Sequence, residues 1–363
     1  MSSASRHFDA LTGLRGIAAW LVVLYHTRLA LTEIMAPAVI AVFAKGYLAV
    51  DLFFMLSGFV IWYNYAERLA SGDGSATRTF LWRRFTRVWP LHAVMLATYI
   101  AFVAVLQVTG RSTVGYPLRE LPMHLLLVQN WGFTDQLAWN HPAWSISAEF
   151  AAYLLFPLIV LARPQRLKLG GLLLLAMGLL LALHAKFALA GHTVVGAEIP
   201  RMGLWRCLMG FSLGVVLCLL WLQLRYRKYA APFAVIACAA ILTVGLGLRL
   251  PETLFAPAAL FAGLLALALG KGLVVRLLSS RPLLHLGKIS YSTYLGHYLL
   301  WTVWKIACVD DKIQVSWVSL TGFLGTVFAV SIVLYHWVEQ PAQRWLNAHP
   351  PRWASATRAI SVQ

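Results

Sequence analysis

The sequence predicts an all-α integral membrane protein of about ten transmembrane helices, with both termini cytoplasmic. Three observations carry this. Of its 363 residues, 60% are hydrophobic and only 12% are charged, about half the charged fraction usual in a soluble domain. Apolar runs near the 20-residue length that crosses a bilayer recur ten times. Lysine and arginine are divided unequally between alternate connections. A mean hydropathy of +0.72 agrees with all three.

The spans follow in order. The run at 13–32 comes after a polar start, Met1 to Asp9, and has no small-residue cleavage site behind it. It therefore reads as a retained helix rather than a cleaved signal. A second run, 47–65, contains Asp51, and the connection at 66–88 then supplies Arg68, Arg78, Arg83, Arg84 and Arg87. The third run is 89–109, and a long loop at 110–143 leads to the fourth at 144–162. Arg163, Arg166 and Lys168 separate it from 169–189, and 203–223 is followed by Arg225, Arg227 and Lys228. Runs at 231–248, 253–270, 289–307 and 317–337 complete the set.

The side that bears the N-terminus, with Arg6, also carries Lys271, Arg276, Arg281, Lys288, Arg344, Arg352 and Arg358, and holds nineteen Lys and Arg in all. The opposite side holds eight, namely Lys45, Arg111, Arg119, Lys186, Arg201, Arg249, Lys305 and Lys312. The more basic side is expected to be cytoplasmic. Residues 1–345 read as one membrane domain and 346–363 as a short cytoplasmic tail, with no internal repeat.

The net charge of +17 does not point to nucleic acid, because the basic residues are spread over short connections. Membrane orientation and lipid headgroups account for most of them. Cys207, Cys218, Cys238 and Cys308 lack metal-ligand spacing and read as small packing residues, so no metal is expected.

Several polar residues are left over. Arg15 and His26 lie within the first span, eleven residues apart. That spacing returns to within about 20° of the same face while advancing about 16 Å, so both side chains share one stripe at two depths. Arg84 and Arg87 face one way on a helix and make a fork suited to phosphates, or else touch lipid headgroups as ordinary positive-inside residues. Asp51 requires a polar cavity or a cationic partner. Ser57-Gly58 reads as close helix packing. Glu149 enters the fourth span through Trp144-Ser145 and is expected near the depth of His26. The two make either an acid/base pair or a buried structural link. His297 suits an interhelical hydrogen bond, and Glu339 a surface pairing with Arg344. Arg201 and Arg206 flank the sixth span against the charge bias, as an acceptor-binding rim would.

These residues fall into six stretches that together resemble the membrane-bound acyltransferase-3 family. They are Phe8-Asp9-Ala10-Leu11-Thr12-Gly13-Leu14-Arg15-Gly16-Ile17-Ala18-Ala19 with His26, and Val50-Asp51-Leu52-Phe53-Phe54 with Ser57-Gly58-Phe59. Next come Arg84 and Arg87 before Trp89-Pro90, then Trp144-Ser145-Ile146-Ser147-Ala148-Glu149. The last two are Gly287-Lys288-Ile289-Ser290-Tyr291-Ser292-Thr293-Tyr294-Leu295-Gly296-His297 and Val338-Glu339-Gln340-Pro341. Their order covers about residues 8 to 345. Phe150 stands where many members carry a second acidic residue, and no proline follows two residues after His297.

The resemblance implies O-acyl transfer in a bacterial inner membrane. The acyl group, commonly acetyl, would pass from cytoplasmic acyl-CoA to a hydroxyl of a carbohydrate or glycoconjugate at the outer face. Under it His26 is the catalytic candidate with Arg15 and Glu149 beside it, and Arg84, Arg87 and Arg15 contact the CoA. Asp51, Trp144, Ser145 and His297 are substrate-binding or structural. The residues alone leave two other classes open, a multi-pass transporter of a polar or anionic solute and a structural membrane protein.

Overall fold

A computed structural model describes residues 3–309 and 314–354, with side chains from residue 9 onward. The side chain of Arg6, together with Lys312, Arg358 and the rest of the tail from 355, lies outside the described residues. The chain runs α1 (Ser3–Thr27), α2 (Pro37–Phe43), α3 (Ala49–Leu69), α4 (Gly74–Val108), α5 (Leu121–Leu126) and α6 (Ala143–Leu161). It continues through α7 (Leu169–Leu189), α8 (Ile199–Leu224), α9 (Ala230–Gly247), α10 (Glu252–Leu269), α11 (Leu273–Leu278) and α12 (Arg281–Cys308). It ends with α13 (Trp317–Leu334) and α14 (Gln340–Ala348), and no strand occurs among the described residues.

Nine helical stretches among the described residues are long and apolar enough to cross a membrane. The remaining expected span, 289–307, is α12, which is not among the nine because it carries polar groups into the protein interior. Its Ser290, Ser292, Thr293 and His297 are all buried. The protein is an all-α, multi-pass membrane protein. Within the bundle α8 is the hub, packed on α3, α6, α7 and α10, while α1 lies along α12 and α9 is held mainly by α10.

Two close approaches set the positions that matter. At Gly58 an added Cβ would stand 2.0 Å from the Phe211 carbonyl oxygen, so α3 meets α8 backbone to backbone, as expected for Ser57-Gly58. At Gly287 an added Cβ would stand 2.0 Å from the Thr12 carbonyl oxygen, which draws α12 against α1 beside Arg15.

The connection expected at 66–88 is mostly helix. Asp73 caps α4 by accepting from the Ser75 backbone N–H at 2.8 Å, and the helix then runs unbroken through Pro90. The basic segment before Trp89 is therefore a rigid extension of a span, with Arg84 and Arg87 on one face. The tail expected from 346 continues α14 and folds back on α4. There Trp82 Nε1 donates to the Leu346 carbonyl at 3.1 Å, and Thr79 Oγ1 to the Ala354 carbonyl at 3.1 Å.

Candidate active site

Along α1, Arg15 and His26 both point inward, but each lines a different cavity. The first cavity, about 330 Å³, collects Arg15 from α1, Ser57 from α3, Arg84 and Arg87 from α4, Glu149 from α6 and Ser290 from α12. Arg15 Nη2 donates to Ser290 Oγ at 3.4 Å and lies within electrostatic reach of Glu149. Arg84 Nη2 donates to the Tyr65 hydroxyl at 3.2 Å, and its buried Nε has no hydrogen-bond partner among the described residues. Arg87 is paired with Glu339, whose other oxygen accepts from Ser292 Oγ at 2.7 Å.

The Glu339 pairing corrects the expected contact with Arg344. A π-helical turn, Tyr335–Glu339, joins α13 to α14. It adds a residue to the turn and swings Glu339 inward, where it is 2% exposed.

The second cavity, about 290 Å³, holds His26, Tyr25, His141, Trp144, Tyr298 and Trp301 on its walls. His26 Nδ1 lies 3.0 Å from the Val22 carbonyl and 3.0 Å from His297 Nε2, while His297 Nδ1 lies 3.1 Å from the Thr293 carbonyl. A carbonyl only accepts, so in the neutral pair each Nδ1 carries the proton. His297 Nε2 then accepts from His26 Nδ1–H. The lone pair of His26 Nε2 is left in the cavity, without a hydrogen bond among the described residues. Tyr298 bonds His141 Nδ1 at 2.9 Å and packs edge-on against His26. Burial lowers the pKa of His141, and the nearby Lys305 lowers it further.

His26 and Glu149 do not meet. Trp144 faces the His26 cavity, and Glu149 is five residues further along α6, about 140° around the helix. It therefore faces the arginines, where Tyr153 reaches both it and Ser57. Equal depth was the only basis for the expected pairing, and depth leaves the facing direction open.

Asp51 finds its cation in Arg206 of α8. Nε donates to Oδ1 at 2.7 Å and Nη2 to Oδ2 at 2.6 Å, with the two residues 2% and 1% exposed. Arg206 thus lines the His26 cavity with its charge met, its guanidinium 5.5 Å from the Trp144 ring centroid. It does not form a rim with Arg201, which is exposed and bonds Asp135 at 3.0 Å.

Tyr294 was not singled out in the sequence, and it is the one residue common to the walls of both cavities. Its hydroxyl bonds Ser145 Oγ at 2.8 Å and donates to the Pro142 carbonyl at 3.1 Å, with Phe53 edge-on at 5.8 Å. Its position three residues before His297 was the available signal, since residues i and i+3 share a helix face. Among the described residues no group of three or more His, Cys, Asp or Glu side chains is placed to hold a metal ion.

Comparison with known proteins bears on this arrangement. Residues 8–336 match the Acyl_transf_3 family model, described as an acyltransferase domain. Acyltransferase MdmB of Streptomyces mycarofaciens is 31% identical over 318 residues, covering 80% of this chain and 78% of that protein. O-acetyltransferase OatA of Staphylococcus aureus is 23% identical over 93% of this chain, which spans 58% of OatA. Protein 2 in picA locus of Rhizobium radiobacter is 38% identical over 111 residues, covering 31% of this chain and 53% of that protein. No solved structure matches the chain. A family match across most of the chain, on a bundle that crosses the membrane many times, makes this protein a member of the acyltransferase-3 family and a membrane O-acyltransferase.

Proposed function

We propose that this enzyme takes an acyl group, commonly acetyl, from cytoplasmic acyl-CoA and transfers it to a hydroxyl of a carbohydrate or glycoconjugate at the outer face of the inner cell membrane. His26 acts as the general base. The carrying observation is the histidine pair: hydrogen bonds to Val22, His297 and Thr293 select the tautomer that presents an unprotonated Nε2 to the second cavity.

The donor approaches from the basic side. Its bulky anionic end stays at the face, and the thin pantetheine arm passes Arg15, Arg84 and Arg87 into the first cavity. Arg84 offers a guanidinium with no carboxylate bonded to it among the described residues, which suits the phosphates nearest the arm. Arg15 lies about 16 Å short of His26 along α1 and receives the polar part of the arm. Glu149, within electrostatic reach of Arg15, offsets part of its charge.

In the transfer step the acceptor hydroxyl oxygen attacks the thioester carbonyl carbon, and its proton passes to His26 Nε2. The C–S bond breaks as the tetrahedral centre collapses, and the departing thiolate takes the proton back from His26. An ester and free CoA result. His297 is a positioning residue: its Nε2 accepts from His26 Nδ1–H and steadies the imidazolium while it lasts.

Proteoliposomes loaded with radiolabelled acetyl-CoA on the basic side and candidate glycans on the other test the reading. Label should appear on the glycan with wild-type protein. A His26→Ala protein that inserts normally and transfers at the wild-type rate would overturn the assignment.

A further inference from the structure

The basic face carries a third cavity of about 660 Å³. It shares Thr12, Arg15 and Arg87 with the first cavity and continues outward past Lys288 of α12 and Arg344 of α14. No carboxylate is among its walls. The charge of Arg87 is met by Glu339, and Glu149 lies close to Arg15 in the buried cavity. Lys288 and Arg344 are exposed, and neither has a carboxylate partner among the described residues. The outer part of the path therefore carries uncompensated positive charge from Lys288 and Arg344, and in the inner part only Arg84 is without a carboxylate nearby among the described residues.

On the donor reading given above, we infer that Lys288 and Arg344 bind the ribose phosphate of acyl-CoA, the phosphate furthest from the thioester. A phosphate is costly to take out of water and stays at the face. The pyrophosphate, nearer the arm, then lies past the junction formed by Arg15 and Arg87, toward Arg84. A guanidinium fork and an ammonium point charge are complementary ways of holding one phosphate. Gln343 and Asn347 on the same wall add neutral amide donors.

The experiment compares acetyl-CoA with acetyl-3′-dephospho-CoA on the same preparation, so that differences in folding or yield cancel. Wild-type protein should prefer acetyl-CoA in kcat/KM by about tenfold, equivalent to about 1.4 kcal/mol. Lys288→Ala and Arg344→Ala should each reduce that preference, and the double variant should abolish it. Lys288→Arg and Arg344→Lys should retain most of it. A preference that survives in the double variant would overturn the inference and leave the donor reading standing. A wild-type protein that consumes neither thioester would remove both.

A lipid headgroup offers the same phosphate chemistry. The assay is therefore repeated in vesicles of zwitterionic lipid alone and in vesicles with anionic lipid. Losses that appear only with anionic lipid, and equally for both donors, would assign the cavity to headgroups and overturn the inference. A lost preference in both vesicles supports it.

Discussion

Replacing His297 by alanine removes the ring nitrogen 3.0 Å from His26 Nδ1 but leaves the Val22 carbonyl, also at 3.0 Å. The tautomer of His26 survives, and what is lost is one hydrogen bond to a ring that becomes charged during transfer. Hydrogen bonds to charged groups contribute about 1.5–3 kcal/mol. At about 1.4 kcal/mol per decade, kcat should fall roughly 10- to 150-fold. The KM values for donor and acceptor should stay near wild type, because His297 is not among the residues lining the His26 cavity. His26→Ala removes the base itself and should cost on the order of 10²–10⁴. A double variant should be no worse than His26→Ala alone, since one residue acts through the other. His297→Gln retains an acceptor oxygen and should recover part of the rate. The assay is acetyl transfer in proteoliposomes at saturating donor and acceptor. An unchanged kcat in His297→Ala, or a loss confined to KM, would refute the positioning role.

Three further outcomes are expected. Asp51→Ala leaves Arg206 buried without its carboxylate, which should destabilise the protein by about 3–5 kcal/mol in thermal unfolding in detergent, and a second change, Arg206→Met, should recover part of that loss. The folded-state pKa of His141 lies below its ordinary 6.5 because of burial and Lys305, so its neutral form is favoured in the fold. The stability it contributes is present above pH 6.5 and is lost as the pH falls below that value toward the folded pKa; His141→Gln should flatten this part of a melting-temperature profile. Tyr294→Ala removes the ring common to both cavities and should increase free-CoA release from acetyl-CoA without acceptor, read with a thiol reagent, whereas Tyr294→Phe keeps the ring and should remain at the wild-type background.

Hydropathy locates the helices because lipid demands it of every exposed face, and ten apolar runs became ten long helices. The Arg15 and His26 stripe was legible for the same reason: a helix has a fixed turn, and polar groups inside it stand out. Asp51 announced that it needed a cation, but the choice of Arg206 depended on how α3 crosses α8. Glu149 and Glu339 show where such reading ends. The first required a facing direction, which depends on how α6 sits among its neighbours. The second depended on a π-helical turn that no single residue signals. The segment 66–88 looked like a loop because it is polar, although a polar helix outside the bilayer has the same composition. The paired histidines lie 271 positions apart in sequence, and only the packing of α12 on α1 brings them together.

Polar cavities inside a membrane protein lie within a bilayer that carries an ion gradient. Here the two cavities share a single aromatic ring, Tyr294, anchored at its hydroxyl by Ser145 and Pro142. A continuous file of water would let protons hop down the gradient whenever the enzyme stood idle. The Tyr294 ring stands where such a file would pass from one cavity to the other. On the proposal that transfer runs across the membrane, the ring that divides the two cavities would also limit proton leak between turnovers.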